Sequence, residues 1–190
     1  MSLPPRCALA LDLGTETCGY AYGMLTDPMP KFDHWRMHQV GGRGRRYVSL
    51  DNTLWRALND WQITEVVVES PLSLMALVRV EHNRIVLRGD PEIIRQQHVL
   101  AGYVEGNCFR ASIPYMECSA DKVRSDVMGR SRFAKGQTKN EVMAYCRSIG
   151  LPVLNDHQAD ACILWLGHRH AIMGRRPAAG PLFRHRAIDA

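Results

Sequence analysis

The chain has 190 residues, 46% of them hydrophobic, with 24 Lys and Arg against 19 Asp and Glu. That length sets one domain as the expectation and is enough to bury a core. No segment is apolar for as long as a bilayer span requires, the start MSLPPRC lacks the apolar stretch of a signal peptide, and the six cysteines form no CxxC pair, so neither a membrane span nor a secretory leader is expected, neither a zinc site nor a redox motif is suggested, and the cytoplasm is the expected compartment.

The net charge of +5 is unevenly spread: 31–46 carries +4, 122–139 carries +5 and 167–190 carries +4, which leaves an acidic remainder. Local basic segments on an acidic body point to a polyanionic partner. Twenty of the basic residues are Arg and four are Lys. Arg suits bidentate contact with phosphate, and genome composition is the other source of such a bias.

In chain order, the first element is Cys7–Gly23, CALALDLGTETCGYAYG. The apolar run Ala8-Leu9-Ala10-Leu11 meets a single acid, Asp12. The chain then turns through Gly14 and is apolar again from Cys18 to Met24, which predicts a two-stranded hairpin. A carboxylate in a buried strand needs a cation or hydrogen bonds; a strand-end charge that reaches water is the alternative. TDPMP, residues 26–30, is a turn. Lys31–Val40 reads as a third strand with one exposed face. Gly41–Arg46 reads as a flexible basic loop, either contacting phosphate through Arg45 and Arg46 or serving as a solvated connector.

Tyr47, Leu50, Leu54, Leu58 and Trp61 fall on one face of a helix. EVVVES, residues 65–70, is a short β-branched strand with an apolar centre, as in strands covered on both faces. It ends on a second acid, Glu69, and Pro71 stops it. Leu72–Asp90 fits neither period and reads as a mobile or partly helical excursion beside Glu69. Pro91 opens a helix whose apolar face is Ile93, Ile94, Gln97, Leu100, Ala101, Val104 and Cys108; the small Ala101-Gly102 pair permits close approach to the sheet or to another subunit.

Ile113–Cys118 is the fifth strand, and Ser119 can cap the next helix. Lys122, Arg124, Arg130, Arg132, Lys135 and Lys139 fall around a loop with Gly129 and Gly136. Thr138 and Glu141 read as a capping box for a helix to about Ile149, ended by Gly150 and Pro152. Asn155 or Asp156 caps a last helix to about Met173, and His157 and Asp160 share a face of its first turn. An acid there is favourable by roughly 0.3–1 kcal/mol from the helix dipole alone, which accounts for Asp160 without any chemistry. After that helix the sequence is basic and contains Pro and Gly, so 1–173 reads as the folded domain and 174–190 as a flexible tail.

These elements fit an α/β fold with a five-stranded mixed sheet in the order 3-2-1-4-5, flanked by helices. Strands one and four are then neighbours, which sets Asp12 beside Glu69. The last helix, packed across the sheet, brings Asp160 and His157 to the same place. Three acids this close cannot all ionise unless cations are bound, and oxygen donors select Mg²⁺ or Mn²⁺. Two such ions about 4 Å apart can activate a water and stabilise the leaving oxygen of a phosphodiester.

The segments ALDLGTETCGYA, VVVES, the Gly129–Lys139 basic stretch and DHQADACILW occur in an order and spacing that resembles the RuvC-like Holliday junction resolvases of the ribonuclease H-like superfamily. The resemblance covers roughly residues 7–172. It implies Asp12, Glu69 and Asp160 as ligands of two Mg²⁺ ions, with His157 at the fourth catalytic position. It implies a homodimer that nicks two strands of a four-way DNA junction, with the dimer helix at Pro91–Cys108. Lys139, and Lys122 or Arg124, fall where the family places basic residues near the scissile phosphate. Arg45, Arg46, Arg130, Arg132 and Lys135 are the expected contacts to flanking duplex. One departure is Leu72, at the position of the family's aromatic wedge. The excursion at 72–90 and the basic tail also look like additions, which suits a phage or mobile-element relative.

Three rival readings fit the same residues. DLGTETCG resembles the first phosphate loop of actin-like and sugar-kinase ATPases, but those need two domains and a second Gly-rich loop. A non-catalytic DNA-binding protein on the same fold is the second rival. A nuclease of flaps or RNA/DNA hybrids is the third, since backbone contacts carry little substrate identity.

Overall fold

In the computed structural model, residues 5–37, 42–72 and 90–174 are described, together with the backbone alone of 78–81 and 84–87. The described elements run β1 (Cys7–Leu13), β2 (Thr17–Met24), β3 (Lys31–Arg36), α1 (Gly42–Asp60), β4 (Glu65–Glu69), β5 (Val78–Glu81), β6 (Arg84–Leu87), α2 (Pro91–Arg110), β7 (Tyr115–Cys118), α3 (Ala120–Met128), α4 (Thr138–Ser148) and α5 (Asp156–Met173).

Every residue of β1 is buried except Asp12. A strand of that kind must lie mid-sheet with both faces covered, and it does. The sheet order is β3-β2-β1-β4-β7, the predicted 3-2-1-4-5 with β7 as the fifth strand. β1 pairs antiparallel with β2 and parallel with β4; β4 pairs parallel with β7. The pleat divides the core in two. Leu9, Leu11, Val66 and Val68 pack toward α1 and α2, whereas Ala8, Ala10 and Val67 pack toward α5. Small residues on the second face let α5 lie close to the sheet. α5 is buried nearly all round between the sheet and α3 and α4, as expected of a helix without a polar stripe.

β4 carries an acid at each end, and the strand period puts both on the α5 face. Glu65 is 2% exposed. Arg6 Nε donates to its Oε1 at 2.8 Å, and His168 Nε2 lies 2.8 Å from its Oε2. Burial raises the Glu65 carboxyl, but these hydrogen bonds win and hold it below the ordinary carboxylate value. A depressed folded value stabilises the protein above the unfolded one and is lost as pH falls through it. Glu65→Gln is therefore expected to cost about 1–3 kcal/mol at pH 7, through half-satisfied partners, and less at pH 4, measured by urea melts at both values.

Several expectations are corrected. The basic loop at 41–46 is helical from Gly42, since Arg43 pairs with Glu92 of α2 and thereby extends the turn N-terminal to the apolar stripe. The excursion at 72–90 contains an antiparallel hairpin, β5 with β6, whose strands are too short to show a period; 73–77, 82–83 and 88–89 lie outside the described residues. The third strand ends at Arg36, and 38–41 are also outside. Ile93 is 46% exposed and off the apolar face of α2. No capping box forms on α4: Gln137 is the N-cap without a side-chain bond, and Glu141 pairs with Arg130 instead. The last helix ends at Met173 with Gly174 as its left-handed cap, and 175–190 lie outside the described residues. Among the described residues, no helix is long and apolar enough to cross a membrane.

Candidate active site

The parallel register pairs Leu11 with Val68. One step further on, at the carboxyl ends of β1 and β4, stand Asp12 and Glu69, both on the α5 face. α5 begins directly above them. Asn155 caps it, its side chain accepting from the Gln158 N–H, and the first turn presents His157 and Asp160.

Two glycines make this approach possible. A Cβ on Gly19 would lie 2.0 Å from the His157 carbonyl oxygen, and one on Gly14 would lie 2.8 Å from His157 Cε1. The backbone of β2 and of the turn that precedes it therefore has to be bare where the helix lands.

His157 Nδ1 stands 2.5 Å from Asp12 Oδ2. An ionised carboxylate only accepts, so the ring proton sits on Nδ1, and this bond raises the His157 value. Arg124, on α3, donates from Nη2 to Asp160 Oδ1 at 3.0 Å. Burial, and next the Asp12 charge, push Asp160 up. Glu69 is pushed to about 7 by burial and then by repulsion from Asp12 and Asp160. Lys139, at the start of α4, pairs with Asp156, and this hydrogen bond raises its value. A small cleft of about 100 Å³ opens beside the acids, lined by Asp12, Leu13, Glu69, Ser70, Pro71, Leu72 and Gln97.

The acids and His157 are thus brought together, and the structure separates the two basic candidates on α3. Arg124 faces the carboxylates, whereas Lys122 is exposed on the same helix near Cys118. The remaining basic residues stand further out. Arg46 reaches the β1–β2 turn, 3.4 Å from the Thr15 carbonyl. Arg45 lines an open groove on α1 of about 450 Å³ with Ser49, Asn52 and Arg56. Arg130 pairs with Glu141 and lies over Phe133, and Arg132 and Lys135 are exposed between α3 and α4. The sequence reading missed Gln158 and the pairing role of Asp156. Asn155-x-x-Gln158 is itself a capping-box pattern, so its signal was present in the sequence.

Among the described residues, no three His, Cys, Asp or Glu side chains are arranged to hold a metal ion as they stand. The donor chemistry nevertheless fits a hard cation: three carboxylates and one imidazole, with one acid lifted to about 7 by burial and then by its acidic neighbours. Arg124 and His157 each engage one of the carboxylate oxygens that such an ion would take.

No protein-family model and no curated protein matches this sequence. Solved structures do. Thermus thermophilus RuvC aligns over 88% of this chain and 96% of its own, at 17% identity and a TM-score of 0.63. The chain has the RuvC fold. T. thermophilus RuvC in complex with a Holliday junction substrate aligns over 89% and 96%, at 16% identity and a TM-score of 0.65. Within the RuvC fold, the candidate site lies at the carboxyl ends of the two central parallel strands.

Proposed function

We propose that this protein is a Mg²⁺-dependent, structure-selective endodeoxyribonuclease that resolves four-way DNA junctions by paired nicks. The observation that carries the reading is the convergence of Asp12, Glu69, Asp160 and His157 on the RuvC fold, with Glu69 held at about 7 by burial and its acidic neighbours.

Asp12, Glu69, Asp160 and His157 would hold two Mg²⁺, for which Mn²⁺ substitutes. When bound, these ions supply an activated water and charge stabilisation for the leaving oxygen. The chain's own residues do the rest. Asp12 fixes the His157 tautomer and leaves the ring's lone pair on Nε2, which would complete the metal site or orient the attacking water. Arg124 and Lys139 offer positive charge to the phosphate. Among the described residues, buried Arg124 Nε and Arg46 Nε have no hydrogen-bond acceptor, and an unsatisfied buried donor calls for a partner that a phosphate oxygen would provide. Arg45, Arg46, Arg130, Arg132, Lys135 and Lys122 would hold flanking duplex. If six or more of these contacts form, junction affinity is expected to fall by about 10³ between 50 and 200 mM salt, read by fluorescence anisotropy. A flat salt response would remove the basic-patch assignment.

Two-strand cleavage needs two sites, so a homodimer belongs to the reading. The outer face of α2 supports it: Val99 and Tyr103 are 36% and 40% exposed. Among the described residues, nothing lies within 4 Å of a Cβ built on Gly102 or Gly106, and the groove there is about 410 Å³. Tyr103→Glu is expected to give a monomer in light scattering and to lose paired nicking.

The test is incubation with Mg²⁺ and labelled four-way junction, linear duplex, flap and RNA/DNA hybrid. Paired symmetric nicks in the junction alone support a resolvase. Cutting of flap or hybrid instead keeps the metal site and discards the junction. No cutting with Mg²⁺ or Mn²⁺ leaves a DNA-binding protein.

A further inference from the structure

The first turn of a helix is its least secured part, because its leading N–H groups have no intrahelical partner. In α5 that turn carries both His157 and Asp160. Something outside the helix must hold it, and the edge strand β3 is in position to do so. A row of paired residues crosses the sheet from Asp12 to Gly19 on β2 and on to His34 on β3. His157 sits over Gly19, and beyond it the turn is tied to β3.

Gln158 is the tie. It is 3% exposed, and all its polar side-chain atoms are engaged. Its Nε2 donates to Asp33 Oδ1 at 3.1 Å and lies 3.2 Å from His34 Nδ1. Its Oε1 accepts from the Leu154 N–H at 2.7 Å. The Asn155 amide nitrogen also lies 3.5 Å from His34 Nδ1. The same ring nitrogen lies 3.1 Å from Asp33 Oδ1, so His34, Asp33 and the two amides form one polar cluster at the edge strand. Asp33 Oδ1 in turn takes its own strand's His34 N–H at 2.8 Å, which fixes the carboxylate against the edge.

We infer that Asp33, His34 and Gln158 are positioning residues, which through the edge strand hold the first turn of α5 where His157 reaches Asp12 and Asp160 reaches Arg124. None of them lines the cleft beside the acids. Their effect on cleavage rests on the nuclease reading; their effect on His157 does not.

The experiment compares Asp33→Ala, Asp33→Asn and His34→Ala with the parent chain. The Asp33 side chain is 59% exposed, so these variants should fold, and equal melting temperatures would establish it. The first readout is the His157 ring in DNA-free protein, by ¹⁵N–¹H correlation of its nitrogens. The second is single-turnover cleavage at saturating junction. Asp33→Ala is expected to shift the Nδ1–H signal and to slow cutting at least about tenfold, in line with the cost of small misplacements, with junction Kd within twofold of the parent. Asp33→Asn keeps the acceptor and should restore both. A parent-like His157 spectrum in both Asp33→Ala and His34→Ala would overturn the inference. If the parent chain cuts no DNA, the nuclease reading fails, and the ring spectrum alone decides the positioning role.

Discussion

Asp12→Asn is expected to abolish junction cleavage while leaving junction binding intact. Asn is nearly the same shape and keeps an oxygen that can accept from His157 Nδ1, so the 2.5 Å contact is preserved in kind. What is lost is the charge, and charge is what a cation and a developing transition state respond to. Removing a single preorganised electrostatic group from a transition state costs about 10²–10³ in rate. The rate should therefore drop at least about a hundredfold, with Kd within twofold. The basic residues that would carry the affinity lie on α1, α3 and α4 and between α3 and α4, and are untouched. A second consequence separates a local effect from unfolding. Asp12 contributes to the upward push on Glu69, so its neutralisation relieves repulsion and the variant should melt no lower than the parent in cation-free buffer. Normal cutting by Asp12→Asn would sink the site assignment. Loss of cutting together with loss of binding would place Asp12 in the DNA contact surface.

Much of this architecture was legible because its central strands have unusual composition. β1 and β4 are continuous apolar runs, each with an acid near its end, and a sheet that buries both faces is the arrangement that accepts such strands. The sheet order 3-2-1-4-5 and the meeting of Asp12, Glu69 and the start of α5 followed from that. What was illegible depended on long-range partners. Arg43 looked like part of a loop because its helix-extending partner, Glu92, lies 49 residues away. The β5–β6 hairpin has strands of four residues, too short for alternation to stand out from chance. The Thr138–Glu141 pattern satisfied a capping rule, yet Arg130 took the Glu141 carboxylate. Lys122 and Arg124 were interchangeable by position along the chain. They differ because α3 packs its Val123 and Val127 stripe on α5, which turns Arg124 toward Asp160.

The two acids of β4 make the same point more sharply, since EVVVE is a palindrome. Nothing local distinguishes Glu65 from Glu69. Glu65 meets Arg6 and His168 at one end of the sheet, is fully partnered and lies below the ordinary carboxylate value. Glu69 meets two further acids at the other end and rises to about 7. One end of the strand is a structural ion network and the other is strained electrostatically. Such strain is characteristic of functional sites and is tolerated there at a cost in stability.

That cost is measurable, and Glu69→Gln should reveal it. A carboxyl whose folded value lies above its unfolded one stabilises the protein at pH below the unfolded value, and the benefit is lost as pH rises through the folded one. For Glu69 the window runs from the ordinary 4.5 to about 7. At 1.36 kcal/mol per unit, with a discount for partial solvation, the parent chain should lose about 2 kcal/mol across that window from this one group. Glu69→Gln has no charge to repel. In cation-free buffer at pH 8 it should exceed the parent by about 2 kcal/mol, or about 4–8 °C in Tm for a chain of this size. At pH 4.5 the two should melt together. Mg²⁺ should then invert the comparison. If Asp12, Glu69 and Asp160 take the cation, the parent gains stability by mass action, whereas Glu69→Gln, one ligand short, gains little. Thermal melts at two pH values, with and without Mg²⁺, decide it. A parent and variant that track each other under all four conditions would mean that the three acids do not repel, and the electrostatic basis of the metal site would be gone. A pH-dependent gap that Mg²⁺ fails to close would leave the repulsion in place but assign its relief to another cation, for which the basic side chains of Arg124 and Lys139 are the nearest candidates.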